Sequence, residues 1–319
     1  MLLSRLAVSM WSVALMVGGA GLVSGQPFPN KPLRILTSAV GGSSDYASRQ
    51  VAQGLTDSLG QQAIVDNRVG IISLEQAIKA QPDGYTLYVD SVSFWLAPLL
   101  KKMSYETLRD FSPISFVSAS VYILVVHPSV PAKSVKEFID LAKAKPGTLN
   151  YGSGGAGSGT HLATELFKSM AGVNLVHVPY KGTGPAVIAL LGSEIQLIFA
   201  SGPTVAAHMK SGRLRALAVT SAQATALAPG VPPVAASGLP GYEVVAAIAL
   251  FAPAKTPTAI INQLSQETAR VLKRPDVKQK FFDSGAETIG SSPEELAAMI
   301  KSDVTKWGKL IKEAGIKVD

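Results

Sequence analysis

The residues best suited by type and spacing to do chemistry lie in a glycine-rich stretch, residues 152–161. It reads Gly-Ser-Gly-Gly-Ala-Gly-Ser-Gly-Thr-His, and the apolar residues that follow it have the spacing of a helix. Backbone N–H groups at a helix start bind anions, and glycine lets a ligand approach the backbone closely. The stretch therefore predicts a cradle for a carboxylate, with a plain flexible loop as the alternative. Its candidate ligand contacts are Ser153, Gly157, Ser158, Thr160 and His161.

The same stretch only partly matches two nucleotide-binding motifs. Its first glycines follow the GxGxxG pattern, but His177 stands where a dinucleotide site needs an acidic residue about 20 positions on. Two later glycines have the spacing of a phosphate loop, but Thr160 and His161 occupy the positions of its lysine and Ser/Thr. These mismatches disfavour nucleotide binding.

A second loop of the same kind reads Gly41-Gly42-Ser43-Ser44-Asp45 and also lies between a predicted strand and a predicted helix. Ser43 or Ser44 is expected to cap that helix while the N–H groups face the ligand. Asp45 is either a ligand contact or a residue that only complements the helix dipole. The candidate contacts of this loop are therefore Gly42, Ser43, Ser44 and Asp45. If the protein has two lobes with one such loop on each, the two loops would face each other across a cleft.

Signs of catalysis or metal binding are weak. The sequence has no Gly-x-Ser-x-Gly elbow and no cysteine, and its four histidines form neither HExxH nor a closely spaced pair. Of the four, His161 is the one expected to contact a ligand or to position the glycine loop. The residues thus indicate a protein that binds its ligand without a metal ion. The alternative is a secreted enzyme that has the same fold as such a binding protein.

Strand-like and helix-like segments alternate from Lys31 onward, which predicts an α/β fold with mostly parallel sheets. Two long apolar segments, Ser118–His127 and Tyr242–Ala252, are expected to run between two lobes. The first lobe would then be discontinuous, comprising residues 26–122 and 247–319, and residues 123–246 would form the second.

The first 25 residues have the layout of a secretory signal peptide: Arg5, an apolar run over residues 6–17 and small residues to Gly25. Cleavage before Gln26 is expected, with a membrane anchor as the alternative. The net charge of +7 is scattered along the chain, which argues against nucleic-acid binding.

A set of short motifs recurs in order along nearly the whole mature chain. They are Lys31-Pro32-Leu33-Arg34, Asp66-Asn67-Arg68, Pro82-Asp83-Gly84-Tyr85-Thr86-Leu87, Asp110-Phe111-Ser112-Pro113, Leu149-Asn150-Tyr151-Gly152-Ser153, His177-Val178-Pro179-Tyr180-Lys181-Gly182, Arg213-Leu214-Arg215-Ala216-Leu217-Ala218-Val219-Thr220 and Gly238-Leu239-Pro240-Gly241-Tyr242. Their order closely resembles the Bug family, the extracytoplasmic receptors of tripartite tricarboxylate transporters.

The resemblance implies a type II periplasmic-binding-protein fold, two α/β lobes with a ligand cleft between them. It implies a periplasmic monomer that binds a di- or tricarboxylate, an acidic amino acid or an aromatic acid, passes it to membrane transporter subunits, and uses no cofactor. The turn of Tyr180, Lys181, Gly182 and Thr183, together with Ser93 after the strand at Thr86–Val89, completes the candidate contacts. A sensor that presents its ligand to a signalling partner is the alternative.

The sequence departs from the family pattern near the expected cleft. Asn67-Arg68-Val69-Gly70-Ile71-Ile72-Ser73 replaces a family stretch rich in small residues and is followed by a shorter segment. Ala200-Ser201 stands where the family often has an aspartate, and Ala39-Val40 replaces a proline pair. These changes leave the ligand unidentified. A less polar or larger ligand, such as an aromatic carboxylate, is one candidate, and loss of transport function is the alternative.

Overall fold

The computed structural model describes residues 28–38, 40–68 and 71–314, so the predicted signal peptide lies outside the described residues. The strands are β1 (Leu33–Thr37), β2 (Ala63–Asn67), β3 (Thr86–Ser91), β4 (Phe111–Val126), β5 (Asn150–Ser153), β6 (Val176–Pro179), β7 (Leu197–Ser201), β8 (Arg215–Val219), β9 (Val245–Pro253) and β10 (Ala286–Thr288). The helices are α1 (Ser43–Leu59), α2 (Ile72–Ile78), α3 (Ser93–Leu100), α4 (Thr107–Asp110), α5 (Val135–Ala144), α6 (Gly159–Ala171), α7 (Thr183–Leu191), α8 (Gly202–Lys210), α9 (Thr258–Lys273), α10 (Pro275–Asp283) and α11 (Pro293–Ala314).

The strands form two sheets that share β4. The first has the order β2-β1-β3-β9-β4 with β10 on β4, and the second has the order β4-β7-β5-β6 with β8 also on β4. The outer strands β2-β1-β3 and β7-β5-β6 run parallel, whereas the pairings of β4 and β9 are antiparallel. The predicted α/β class is confirmed, with mixed sheets in place of mostly parallel ones.

The strand β4 connects the two sheets and changes its partners in mid-strand. Residues up to Val121 pair with β9, and residues from Tyr122 pair with β7. The predicted segment begins at Ser118, seven residues after the observed start of β4. The missed part contains Pro113, and proline is disfavoured inside a central strand. The register shifts between Pro113 and Ser115, and such an irregularity accommodates a residue that cannot donate to the ladder.

Two helix starts have capping-box spacing in the sequence, Ser134 with Glu137 and Ser292 with Glu295, and both caps form in the structure. At α5, Ser134 Oγ accepts from the Glu137 N–H at 3.2 Å and Glu137 Oε2 accepts from the Lys133 N–H. At α11, Ser292 and Glu295 exchange reciprocal hydrogen bonds of 3.1 and 2.8 Å. The helix α2 was not predicted, because its seven residues are too few to show a clear period.

Aromatic side chains fill the core beside β3, β4 and β9. Phe94 packs against Tyr88, Tyr105, Phe111 and Phe251, with ring centroids 5.0–5.2 Å apart. Ring pairs at this distance stabilise the packing beyond the area that they bury. The cluster therefore forms a well-packed side of the cavity that Tyr88, Phe94 and Tyr105 line.

None of the helices in the described part of the chain combines the length and apolarity needed to cross a membrane.

Candidate functional site

A cavity of about 620 Å³ lies where the two sheets face each other. Among the described helices of eight or more residues, five begin at it: α1, α3, α6, α7 and α8. The first N–H groups of each helix have no partner within the helix, and its dipole places about half a positive charge at that end. The cavity thus concentrates hydrogen-bond donors and positive potential, which suits an anion.

The α1 start lies on the first-sheet side of the cavity. Gly42, Ser43 and Ser44 line the cavity here. The expected serine cap is wrong: Gly42 is the cap residue, and no side chain bonds the first-turn amides. The helix therefore starts one residue earlier than a serine cap requires, and Ser43 Oγ turns instead to Ser201 Oγ, 3.2 Å away on the second-sheet side.

Asp45 holds the α1 loop in shape from behind the cavity. Its buried carboxylate accepts from the Gly41 N–H at 3.0 Å, from Asn67 Nδ2 at 2.9 Å and from Arg49 Nε at 3.0 Å. Burial opposes ionisation, but these hydrogen bonds outweigh it and lower the pKa of Asp45. Asp45 is not among the cavity-lining residues. Its position fits the alternative in which it complements the helix dipole and does not contact the ligand.

The glycine loop before α6 satisfies many of its amides internally. The Gly154 N–H donates to Thr160 Oγ1, the Gly155 N–H to Ser153 Oγ, and the Gly157 N–H to His161 Nδ1. Gly157 has a φ of +79°, a conformation that favours glycine.

Two amides of the same region remain available. The N–H groups of Gly159 and Thr160, the first residues of α6, find no acceptor in the described protein and lie at the cavity. Ser158 caps α6 by accepting from the His161 N–H at 3.3 Å. The backbone donors available to an anion here therefore belong to the start of the helix itself rather than to the glycines that precede it.

His161 and Ser153 lie behind the glycine loop. The rings of His161 and His177 stack with centroids 4.3 Å apart, and Ser153 Oγ lies 2.7 Å from His177 Nε2. Burial, and then the neighbouring His177, lower the pKa of His161 to about 4. His161 must be neutral for its Nδ1 to accept from the Gly157 N–H. The hydrogen bond between these two residues therefore helps to hold the loop in its folded shape.

The turn before α7 supplies another part of the cavity. Lys181, Gly182 and Thr183 line it, whereas Tyr180 does not. The Tyr180 N–H instead donates to the Ser153 carbonyl at 3.1 Å.

The structure thus brings most of the predicted contacts together. Those that line the cavity are Gly42, Ser43, Ser44, Ser93, Gly157, Ser158, Thr160, Lys181, Gly182 and Thr183. Those that stand behind it are Asp45, Ser153, Tyr180 and His161.

Sequence reasoning missed several lining residues. Ser38, Ser91 and Ser201 stand at the carboxyl ends of β1, β3 and β7, where ligands bind in α/β sheets, so strand ends carried a usable signal. Tyr122 and Asp90 also line the cavity, but they sit in strand sequences that only the packing reveals as cavity walls.

The chain matches the model of the tripartite tricarboxylate transporter family receptor over residues 47–316. It belongs to this receptor family. Protein BugT of Bordetella pertussis is 33% identical over 316 residues, which cover 96% of this chain and 97% of BugT. The family predicted from the ordered motifs is confirmed.

Solved structures agree with this assignment. Rpa4515 of R. palustris, solved with adipate, has a TM-score of 0.87 and 32% identity, covering 91% of this chain and 99% of that protein. MatC from Rhodopseudomonas palustris, solved with bound malate, has a TM-score of 0.83 and 26% identity, covering 89% of this chain and all of MatC (100%). The receptor family consists of periplasmic solute-binding proteins, and the two-lobed fold predicted for this chain is confirmed.

Proposed function

We propose that this receptor-family protein captures a small carboxylate in the periplasm, delivers it to a membrane transporter and catalyses no reaction. The observation that carries the proposal is the convergence of five helix starts on one cavity. Their amides replace the water around a carboxylate with fixed dipoles, and the free N–H groups of Gly159 and Thr160 are the most direct donors.

The proposed ligand contacts come from both sides of the cavity. On the first-sheet side they are Ser43, Ser44 and Ser93, and on the second-sheet side they are the starts of α6 and α7. A ligand that bonds to both sides favours the closed arrangement because only that arrangement offers all the donors at once.

The proposed lobes are residues 26–122 with 247–319, and residues 123–246. The change of partners in β4 between Val121 and Tyr122 supports a boundary there. The Ser43–Ser201 contact then crosses from one lobe to the other. Movement about the shared strand would open the cavity for ligand entry and release.

The cavity and the relatives together support the proposed ligand class. Rpa4515 was solved with adipate and MatC with malate, both small carboxylates. Here Ile71 and Leu74 line the cavity near the altered loop, next to Phe94. These apolar side chains favour a carboxylate with an apolar or aromatic body.

The decisive experiment is a thermal-shift screen of the purified mature chain against di- and tricarboxylates, amino acids and aromatic acids, followed by calorimetry. A ligand at 100 times its dissociation constant should stabilise the fold by about 2.7 kcal/mol. NMR of the ligand after long incubation should show it unchanged. The absence of a shift with every carboxylate would refute capture, and turnover of a bound one would refute the non-catalytic role.

A further inference from the structure

Of the described residues that line the cavity, Asp90 alone is acidic. It follows Tyr88 by two positions on β3, so the two side chains share one face of the strand. An anion-binding cavity gains nothing from a carboxylate in its wall, because like charges repel and burial makes the repulsion stronger. Asp90 therefore calls for a ligand with a second chemical feature.

The hydrogen bonds of Asp90 leave room for such a feature. Its Oδ2 accepts from the Tyr88 hydroxyl and its Oδ1 from the Ser91 N–H at 2.7 Å. The Ser91 side chain is a third partner, and an ionised carboxylate has about four acceptor positions, so room for one further donor remains. In the described part of the protein, no lysine, arginine or histidine forms an ion pair with Asp90.

A charged group without a counter-charge is costly to enclose. Burial raises the pKa of Asp90, as expected for a carboxylate that lacks a cationic partner. Closing a cavity around a ligand removes more water and increases that cost, unless a positive charge comes to lie beside the carboxylate. Of the described lysines, the two that line the cavity, Lys101 and Lys181, form no ion pair with Asp90, which leaves the ligand as the source of that charge.

The wall beside Asp90 is aromatic. Tyr88, Phe94 and Tyr105 line the cavity, and the Phe94 ring lies 5.2 Å from Tyr88 and 5.1 Å from Tyr105, centroid to centroid. We call these three residues the aromatic wall. It offers an apolar surface for the body of a ligand and favours a cation near its ring faces.

We propose that Asp90 is a specificity residue that selects carboxylates carrying a positively charged nitrogen at the end opposite the carboxylate. This inference rests on the proposed function and names the ligand class of the same site. The carboxylate would lie at the helix starts, the apolar body along the aromatic wall, and the ammonium group at Asp90.

Matched ligand pairs test the inference with the protein as it is. In each pair an aminomethyl group replaces one carboxylate, so the number of carbons stays the same. The pairs are succinate with 4-aminobutanoate, glutarate with 5-aminopentanoate, adipate with 6-aminohexanoate, and terephthalate with 4-(aminomethyl)benzoate. Calorimetry should show that the amino acid of at least one pair binds about 10- to 100-fold more tightly than its diacid, the range that hydrogen bonds to charged groups give.

The variant Asp90→Asn should reverse this preference. It keeps the size of the side chain and an acceptor for Tyr88 but removes the charge, so affinity for the amino acid should fall about tenfold or more while affinity for the diacid rises. Asp140→Asn is the matched control, because Asp140 is exposed on α5 away from the cavity and its loss changes the net charge equally. Its ligand preference should equal that of the unaltered protein.

The experiments distinguish a failure of the Asp90 inference from a failure of the proposed function. If the diacid binds at least as well as the amino acid in every pair, or if Asp90→Asn leaves the preference unchanged, the role of Asp90 is overturned and carboxylate capture stands. The same holds if neither series binds but another carboxylate does. If no carboxylate of any kind binds, the proposed function itself fails. Should Asp90→Asn not fold, the matched pairs on the unaltered protein still decide.

Discussion

Tyr122 places a phenol hydroxyl beside the start of α6. A Cβ built on Gly159 would overlap this hydroxyl, so the group lies close to the first residue of α6, and Tyr122 lines the cavity. Burial raises the pKa of Tyr122, so the phenol stays protonated and able to donate. We infer that this hydroxyl donates to the same carboxylate that the α6 amides are proposed to bind.

We therefore expect Tyr122→Phe to weaken carboxylate binding about 3- to 10-fold, the value of one hydrogen bond, with little change in thermal stability. Calorimetry with a ligand found in the screen measures this. Tyr242→Phe is the control, because the buried Tyr242 hydroxyl donates to the Ala163 carbonyl at 2.8 Å and does not line the cavity. That variant should lose about 1 kcal/mol of stability and keep its affinity. Equal effects on affinity would contradict the assignment of Tyr122.

His161 should make the protein sensitive to acid. Its pKa of about 4 in the folded state lies below its ordinary value of 6.5, so the unfolded chain binds the proton more readily. Stability from this group is complete above about pH 6.5 and is lost progressively as the pH falls toward 4, by about 3 kcal/mol in total. Protonation at Nδ1 also breaks the bond from the Gly157 N–H.

Urea unfolding between pH 4 and 8 measures this loss. The variant His161→Asn retains a side-chain acceptor but cannot titrate, so its free energy of unfolding should fall less steeply below pH 6.5. His177, whose pKa burial also lowers, remains in both proteins. Parallel curves for the two proteins would show that His161 is not the acid-sensitive group.

At the scale of elements, the start of α6 depends on the absence of a side chain at Gly159. A Cβ there would meet the Tyr122 hydroxyl and would also lie 3.2 Å from Val92 Cγ1. Gly159→Ala should therefore push the helix start away from β4, cost about 1–3 kcal/mol of stability and weaken carboxylate binding.

Gly308→Ala is the matched control for this change. Gly308 lies inside α11, and an added Cβ would meet only Leu99 Cδ2 at an ordinary 3.8 Å. Alanine favours helices more than glycine does, so this variant should gain up to about 1 kcal/mol and bind the ligand normally. Denaturant unfolding and calorimetry on both variants provide the comparison. Normal binding by Gly159→Ala would show that the position of this helix start is not critical.

Local chemistry made several elements predictable. The caps at Ser134 and Ser292 and the glycine loop before α6 are each determined by residues a few positions apart. The family motifs added the two-lobed arrangement, which no local pattern contains.

The rest of the cavity was hidden because it arises from packing between distant segments. Tyr122 is read as one more apolar residue of a long strand until β4 is placed against the start of α6. In the sequence, Asp90 looks like an ordinary residue near the end of a strand. Its place in the cavity lining becomes visible only in the structure, where α3 and the aromatic wall line the same cavity. The serine cap failed for a related reason, since Ser43 turns to Ser201, 158 positions away.

At the scale of the whole molecule, the proposed function predicts that ligand exchange requires the two sides of the cavity to separate. Ser43 Oγ and Ser201 Oγ lie 3.2 Å apart across it, and the glycines at 202 and 285 also approach each other closely there. The sequence contains no cysteine, so one engineered pair can form only one disulfide within the chain. Oxygen atoms this near each other place their side chains within reach of a bond of about 2 Å between sulfurs.

The double variant Ser43→Cys, Ser201→Cys should therefore close the cavity when oxidised. We expect the oxidised protein to take up and release ligand far more slowly than the same protein after reduction, because the disulfide prevents the separation that entry requires. Stopped-flow binding under both conditions measures the rates, and comparing one protein with itself cancels the direct effect of losing two hydroxyls. The single variant Ser43→Cys should respond to neither reagent. Equal exchange rates in the oxidised and reduced double variant would show that ligand enters without separation of the lobes, and the shared strand β4 would then be a fixed connection rather than a hinge.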